Sequence, residues 1–424
     1  MQKLKTLIHN QDLMKKILIT FGLLFLFRLG CALPVPFVQS DVLSALFGNG
    51  DLFSYMNMMG GGALEKSAVF ALGVSPYINA SIVIQLLCVA IPLLERLQKE
   101  DPKQIRKITQ WLALAMGFVS AFGYYALMRN FGALQHTQGY SGVMSGIIIV
   151  LLFVAGSQLV MWIGWQIDDY GIGNGMSLLI FAGIISRWSE ISYVFRAMQT
   201  LWAEKDWRII VLGLLSIAAV LSIFFVVKVN DTEARIPVTY SRAMPASSSR
   251  STNSYIPVKL IMSGVMPIIF AGSVISLPAT LGIFVDAEKH ANLHAVLVGF
   301  NSTNWVYCVL YVALIFAFNY FYISIQFDGV QMANNLRGNG GVIPGIRPGK
   351  PTSDYLTSTA NKTAPIGAFI LALIAATPIV MGNLTGLSIQ LGGTSLLIVC
   401  GVALEEVAAL DSYLTLRHHT GILS

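Results

Sequence analysis

Charge is scarce in this chain of 424 residues. Asp, Glu, Lys and Arg make up 11% of it, where a soluble domain carries about 25%. With 55% hydrophobic residues and a mean hydropathy of +0.68, that scarcity excludes a soluble globular protein and indicates a polytopic membrane protein. Cysteine is scarce as well. Cys31, Cys88, Cys308 and Cys400 stand singly inside or at the edge of apolar runs. None has metal or redox spacing, which leaves them as small apolar residues. No apolar run carries Asp, Glu or Lys at its middle, where an ion- or proton-coupled transporter usually needs one. No His/Cys/acidic cluster has the spacing of a metal site and no Ser/His/Asp constellation lies on facing helices. An enzyme is not expected, nor any cofactor.

What is present is a succession of ten apolar segments near the roughly 20 residues that cross a hydrocarbon core. They run approximately 17–35, 74–94, 110–130, 145–167, 172–192, 208–228, 257–284, 303–327, 363–382 and 391–410. With the amino terminus in the cytoplasm, the inside segments hold 19 of the 27 Lys and Arg residues and the outside segments seven. By the positive-inside rule both termini are expected in the cytoplasm. MQKLKTLIHNQDLMKK precedes the first apolar run without a small-residue cleavage site, so it reads as a retained end rather than a signal peptide. Arg28, the remaining cation, lies inside the first span. It is either a functional residue, as intramembrane charges usually are, or a side chain that snorkels to the outer surface.

The stretch Gly60 to Leu87, GGGALEKSAVFALGVSPYINASIVIQLL, has no place in a simple span. Three glycines open it, a short amphipathic piece follows, and Gly73 and Pro76 interrupt it before the long apolar run. Such a pattern suits a half-helix that re-enters the bilayer, hinges and continues as a span. Broken backbone at membrane depth survives only beside protein or a water-filled cavity. The seventh span repeats the grammar: GVMPIIFAGSVISLP against GVSPYINASIVIQLL. Each segment stands second in its half, residues 1–200 and 201–424. Two halves of five spans have opposite orientation, and interrupted segments at matching positions of inverted halves mark a pathway between them.

Three cytoplasmic loops carry most of the remaining signal. DDYGIGNGMSLLIF has three glycines entering a helix, but no strand precedes it and two aspartates would repel an anion. Close helix packing is the better reading. The 229–256 loop is Ser-rich and basic, with Arg235, Arg242 and Arg250. The 328–362 loop contains Arg337 and GGVIPGIRPGK, whose prolines and glycines around Arg347 suggest a stiff tip. Both loops are either solvated positive-inside charge or, given their length, a docking surface for a large cytoplasmic partner. Glu405 and Glu406 are expected to be solvated at the cytoplasmic end of the last span.

The succession FRLG, PVP, GGALEKSAVFALGVSPYINASIVIQLL, GIGNGMSLLIFAGI, ARIPVTY, GVMPIIFA, GGVIPGIRPGK and LGGTSLLIV, in this order along essentially the whole chain, resembles the bacterial SecY family. The resemblance implies an all-α polytopic membrane protein, with ten transmembrane helices in two inverted five-helix halves around a central hourglass pore and a short plug half-helix. Its function would be protein conduction: translocation of unfolded secretory polypeptides across the bacterial cytoplasmic membrane, and lateral insertion of membrane proteins into lipid. The plug would be about residues 61–72, with Gly61, Gly62, Ala63, Leu64, Phe70 and Leu72. The pore ring would be Ile78, Ile82, Met176, Ile180, Ile269 and Ile398. The lateral gate would lie between the second and seventh spans with the third and eighth, at Pro76, Gln85, Pro267 and Ser273; Gln85 and Ser273 equally suit ordinary interhelical hydrogen bonds. Implied partners are the subunits SecE and SecG, the motor ATPase SecA and a translating ribosome, met by Arg347, Arg235, Arg242 and Arg337. Phe37 replaces the family's usual Gly after PVP, the 241–254 segment is poorer in Lys and Arg, and FDGVQMANNLRGNGG lacks the usual Pro and Glu. These departures leave an accessory channel with restricted substrates open. A small-solute secondary transporter is the remaining rival, and it needs a polar midplane site.

Overall fold

The computed structural model describes residues 11–39, 60–135, 139–186, 223–230, 232–240, 255–262, 264–282, 305–385 and 393–420, with single positions at 42, 57, 213, 217 and 221. Arg242, Arg250 and most of the sixth span lie outside the described residues.

The first helix, α1 (Gln11–Gly30), leads through an extended strap, 33–39, to the broken stretch. Residues 60–74 do not form the expected half-helix. They descend by successive turns, Ser67 N to Leu64 O (3.0 Å), Ala71 N to Ala68 O (2.9 Å) and Gly73 N to Phe70 O (2.9 Å). Left-handed backbone at Gly61, Gly62, Ser67 and Gly73 prevents a continuous helical ladder.

Regular helix resumes at α2 (Ser75–Ala90), with Pro76 in the first turn, where a missing N–H leaves nothing unpaired. The second span was expected to run to residue 94. Pro92 instead biases Ile91 to extended backbone, and α3 (Pro92–Glu100) leaves at 111° to α2. The Asp101 side chain accepts from Lys103 N (3.2 Å) and Pro102 opens α4 (Pro102–Asn130). Then follow α5 (Gly139–Tyr170) and α6 (Gly175–Ser186).

In the second half α7 (Met266–Gly282), α8 (Trp305–Gln326), α9 (Gly329–Gly338), α10 (Lys350–Thr385) and α11 (Gly393–Thr420) carry the fold. Four described helices are long and apolar enough to cross a membrane, or five if α2 and α3 are one broken span.

The chain is not purely helical. Strands β1 (Glu233–Pro237) and β3 (Tyr255–Lys259) form an antiparallel pair, and β2 (Thr239–Tyr240) pairs with β4 (Gly341–Val342). The expected seventh span, 257–284, therefore begins as a strand, and its helix starts only at Met266. Likewise α10 begins at Lys350, ahead of the apolar run expected at 363. The two long loops share a small core of Ile236, Val238, Val258, Leu336, Ile343 and Leu356.

Packing places α5 against α1, α4 and α6, α2 against α4 and α7, α8 against α7 and α10, and α11 against α6 and α10. Most buried apolar side chains of this arrangement belong to one cluster. Lys16 near the start of α1 donates to the Tyr413 hydroxyl near the end of α11 (3.2 Å), so those two helix ends lie on one side.

Candidate functional site

Six apolar side chains from four helices belong to the main buried cluster. Ile78 and Ile82 come from α2, Met176 and Ile180 from α6, Ile269 from α7 and Ile398 from α11. None is more than 7% exposed. On both α2 and α6 the pair is four residues apart, which places it on one face. Gly164 of α5 makes room for Met176, since a Cβ there would lie 2.6 Å from the Met176 Cε.

The turn segment 60–74 is seated between this cluster and a second one. Ala63, Ala68, Phe70 and Val74 belong to the first; Leu64, Ala71 and Leu72 pack with Tyr124 and Phe153 of α4 and α5. Phe70 stacks on Phe27 of α1, centroids 6.1 Å apart. A Cβ at Gly30 would sit 2.1 Å from the Phe70 ring, which explains the glycine of FRLG. The strap holds the other side: Val35 N donates to Ser67 O and Val69 N to Leu33 O, both at 2.9 Å.

Polar side chains grip the same segment. Arg28 Nη1 donates to Gly61 O at 3.2 Å. Ser186 Oγ of α6, whose shorter bond returns to Gly183 O (2.6 Å), lies 3.4 Å from that same Gly61 carbonyl. The Tyr124 hydroxyl donates to Leu64 O. Asn57 bonds the segment through Gly62 N (2.8 Å), Glu65 N (3.1 Å) and Glu65 Oε2 (3.2 Å). Sequence reasoning missed Tyr124 and Ser186, for which no local signal exists.

The gate residues take different places. Pro76 and Pro267 are buried in the first turns of α2 and α7, and Ser273 is buried on α7. Gln85 joins α2 to α8: its Oε1 accepts from the Tyr322 hydroxyl (3.0 Å) and its Nε2 donates to Ser81 Oγ (3.1 Å). Phe270 of α7 closes on Tyr322 and Phe318 at 5.2 and 6.0 Å.

The glycine-rich turn before α6 offers no anion site. Two of its donors are taken by carboxylates, Gly175 N by Asp168 Oδ1 (2.7 Å) and Asn174 N by Glu406 Oε1 (3.2 Å), and Ile172 N goes to Thr20 Oγ1 (3.1 Å). Asn174 Oδ1 then caps Met176 N and Ser177 N. The expectation that Glu406 is merely solvated is thus corrected. A Cβ at Gly175 would lie 2.0 Å from Gly164 O, so this glycine serves close helix packing. Among the described residues no His/Cys/Asp/Glu group is arranged to hold a metal.

On the loop face Arg235 of β1 pairs with Glu233 (2.9 Å) and lies over the Tyr255 ring. Arg337 ends α9 and is exposed; Arg347 is exposed at the 341–349 tip, where its carbonyl accepts from Thr352 Oγ1 (2.9 Å).

A family model described as SecY matches residues 68–407. The chain is 36% identical over 423 residues to the protein translocase subunit SecY of Bacillus subtilis strain 168, covering 97% of each chain. It is 37% identical over 440 residues to that of Mycobacterium bovis, covering 98% of each. Among solved structures, one described as a protein conducting channel superposes with a TM-score of 0.65 at 17% identity, covering 94% of this chain and 92% of that one. Another, a study of the SecY plug domain and the closed state of the translocation channel, gives 0.64 at 16%, with the same coverage.

Proposed function

The chain belongs to the SecY family and is a protein-conducting channel of the membrane; from that premise we propose which of its residues form the conduit. The constriction is the set Ile78, Ile82, Met176, Ile180, Ile269 and Ile398. An apolar waist blocks ions by dewetting and offers a passing polypeptide nothing to bind tightly. Methionine suits a waist that must yield, because its side chain is flexible. The plug is the segment 61–72, and ten spans in two inverted halves surround the hourglass pore. The observation that carries this reading is that four helices deliver the six side chains to one buried cluster, which also receives Ala63 and Phe70 of the turn segment.

The seam where α2 and α4 meet α7 and α8 is the lateral gate, with Gln85 and Ser273 along it and Pro76 and Pro267 at its helix starts. Release into lipid is then a partition: about −0.3 to −0.6 kcal/mol for each central Leu, Ile, Phe or Val, against about +2.5 to +3.5 for a charge. SecE and SecG complete the complex in the bacterial cytoplasmic membrane, both termini facing the cytoplasm. SecA or a translating ribosome docks on the basic loops through Arg347, Arg235, Arg242 and Arg337 and supplies the energy.

The test replaces the four native cysteines and places single cysteines at Ile78, Ile180 and Ile269. The partner is a secretory precursor, stalled part-way, with a cysteine in its spanning portion. Disulfides are expected at all three positions and not at the exposed control Leu151. Failure at all three, with the precursor bound and the protein inserted, would remove the constriction assignment.

A further inference from the structure

The plug reading says where the segment sits and not what sets the ease with which it leaves. Two opposed features of the structure bear on that. The first is a set of clasps on its carbonyls. Gly61 O accepts from Arg28 of α1 and faces Ser186 of α6, and Leu64 O accepts from the Tyr124 hydroxyl of α4. One short segment is thereby tied to three helices. With the single Tyr124 proton directed at Leu64, Ser67 Oγ donates to the Tyr124 oxygen, at 3.4 Å. The second feature is strain. Ser67 has φ +46, a left-handed conformation that residues with a Cβ adopt at a cost, and such strain gathers at switch regions. Ser67 is 1% exposed, and its carbonyl is the acceptor of the strap's Val35 N–H. Seated, the segment holds a strained residue at the point where strap and Tyr124 both grip it.

Resting on the plug assignment, we propose that Arg28, Tyr124 and Ser67 are positioning residues that set the opening threshold of the channel. Arg28 and Tyr124 hold the closed state by the plug carbonyls, and the backbone strain at Ser67 works against them. The close approach at Gly61 supports the geometry: a Cβ there would meet Arg28 Nη1 at 2.9 Å and the Gly183 Cα at 3.0 Å, so the Gly61 carbonyl reaches its donors only without a side chain.

The experiment measures resting chloride leak from proteoliposomes that contain the complete translocase and an enclosed fluorescent indicator. Tyr124→Phe removes the hydroxyl alone, and Arg28→Gln removes the cation. Each is expected to raise the leak about fivefold, the population change that one buried hydrogen bond of about 1 kcal/mol produces. Ser67→Gly and Ser67→Ala both lose the hydroxyl that meets Tyr124, and only alanine keeps the strained Cβ, so the glycine variant is expected to leak about fivefold less than the alanine variant. A generally loosened structure would leak at least as much with glycine at 67 as with alanine, so a glycine variant that leaks as much as the alanine variant, or more, overturns the proposal. Deletion of 61–72 separates it from the reading beneath it. No leak from the deletion would remove the plug assignment itself; leak from the deletion with wild-type leak in Tyr124→Phe and Arg28→Gln would remove the latch alone. If Tyr124→Phe fails to fold, the Arg28 and Ser67 arms still decide.

Discussion

Phe37 carries φ +69 in the strap that pairs with the turn segment 60–74, at the position where the resemblance leads one to expect glycine after PVP. Its carbonyl accepts from Gln135 N (3.0 Å), and two residues on Gln39 N donates to Ala133 O (2.8 Å), so the left-handed turn is held from both sides. The ring is about one-third exposed, and removing it loses some contact whatever replaces it. Comparing Phe37→Gly with Phe37→Ala isolates the backbone, because both lose the ring and only alanine keeps a Cβ. Thermal unfolding in detergent is expected to find the glycine variant more stable by about 1 kcal/mol; equal stability would mean that the strap carries no strain there. The departure at 37 was visible in the residues, but its conformation was not. The same holds for Arg28 and Glu406. Their partners, Gly61 O and Asn174 N, lie 33 and 232 positions away, and no local pattern encodes such distances.

Helices were legible where one physical rule dominates. The apolar runs of α4, α5 and α8 are long enough to span, and proline, asparagine or aspartate marks the starts of α2, α4, α6 and α9. The strands were not legible. β1 and β3 are separated by a polar serine-rich segment, and β2 finds β4 about a hundred residues later, so pairing rather than composition creates them. The start of α10 was placed late for a related reason: hydropathy sees only its apolar part, whereas Thr352 and Ser353 are buried against the loop face. The proposed gate can be tested at the α2–α8 hydrogen bond. Tyr322→Phe deletes the hydroxyl that bonds Gln85 (3.0 Å) and leaves the ring contact with Phe270 intact. Loss of one such bond weakens the closed seam by about 1 kcal/mol. If the seam is the gate, translocation substrates with marginally apolar segments should partition into lipid more often, read as the membrane-inserted fraction of a graded Leu/Ala series. An unchanged threshold would place the gate elsewhere.

At the scale of the molecule, charge and shape converge on one face. The described parts of the loops 229–256 and 328–362 are joined by the β2–β4 pair and a common core, so these parts form one body rather than two solvated tails. That favours the docking reading over idle positive charge. Within that body the tip 341–349 has Pro344 and Pro348 and left-handed Gly345 and Gly349 (φ +81 and +106) fixing its path. A Cβ at either glycine would meet open space; the need is conformational, as a stiff tip requires. Arg347 stands exposed on that tip, and among the described residues no carboxylate pairs with it. A cation held out on rigid backbone loses little entropy when it binds, and reversing its charge leaves the fold untouched. Arg347→Glu should therefore lower SecA-driven precursor translocation at least tenfold, about 1.4 kcal/mol of lost interaction, with unchanged membrane insertion and unfolding temperature. The defect should shrink as salt is raised, because exposed charges are screened within about 10 Å at 0.1 M. Arg235 is already engaged by Glu233 and Tyr255, so Arg235→Glu should impair transport less than Arg347→Glu does. Normal transport by a well-inserted Arg347→Glu channel would mean that the motor meets this face without its tip, and would leave the stiffness of the tip unexplained.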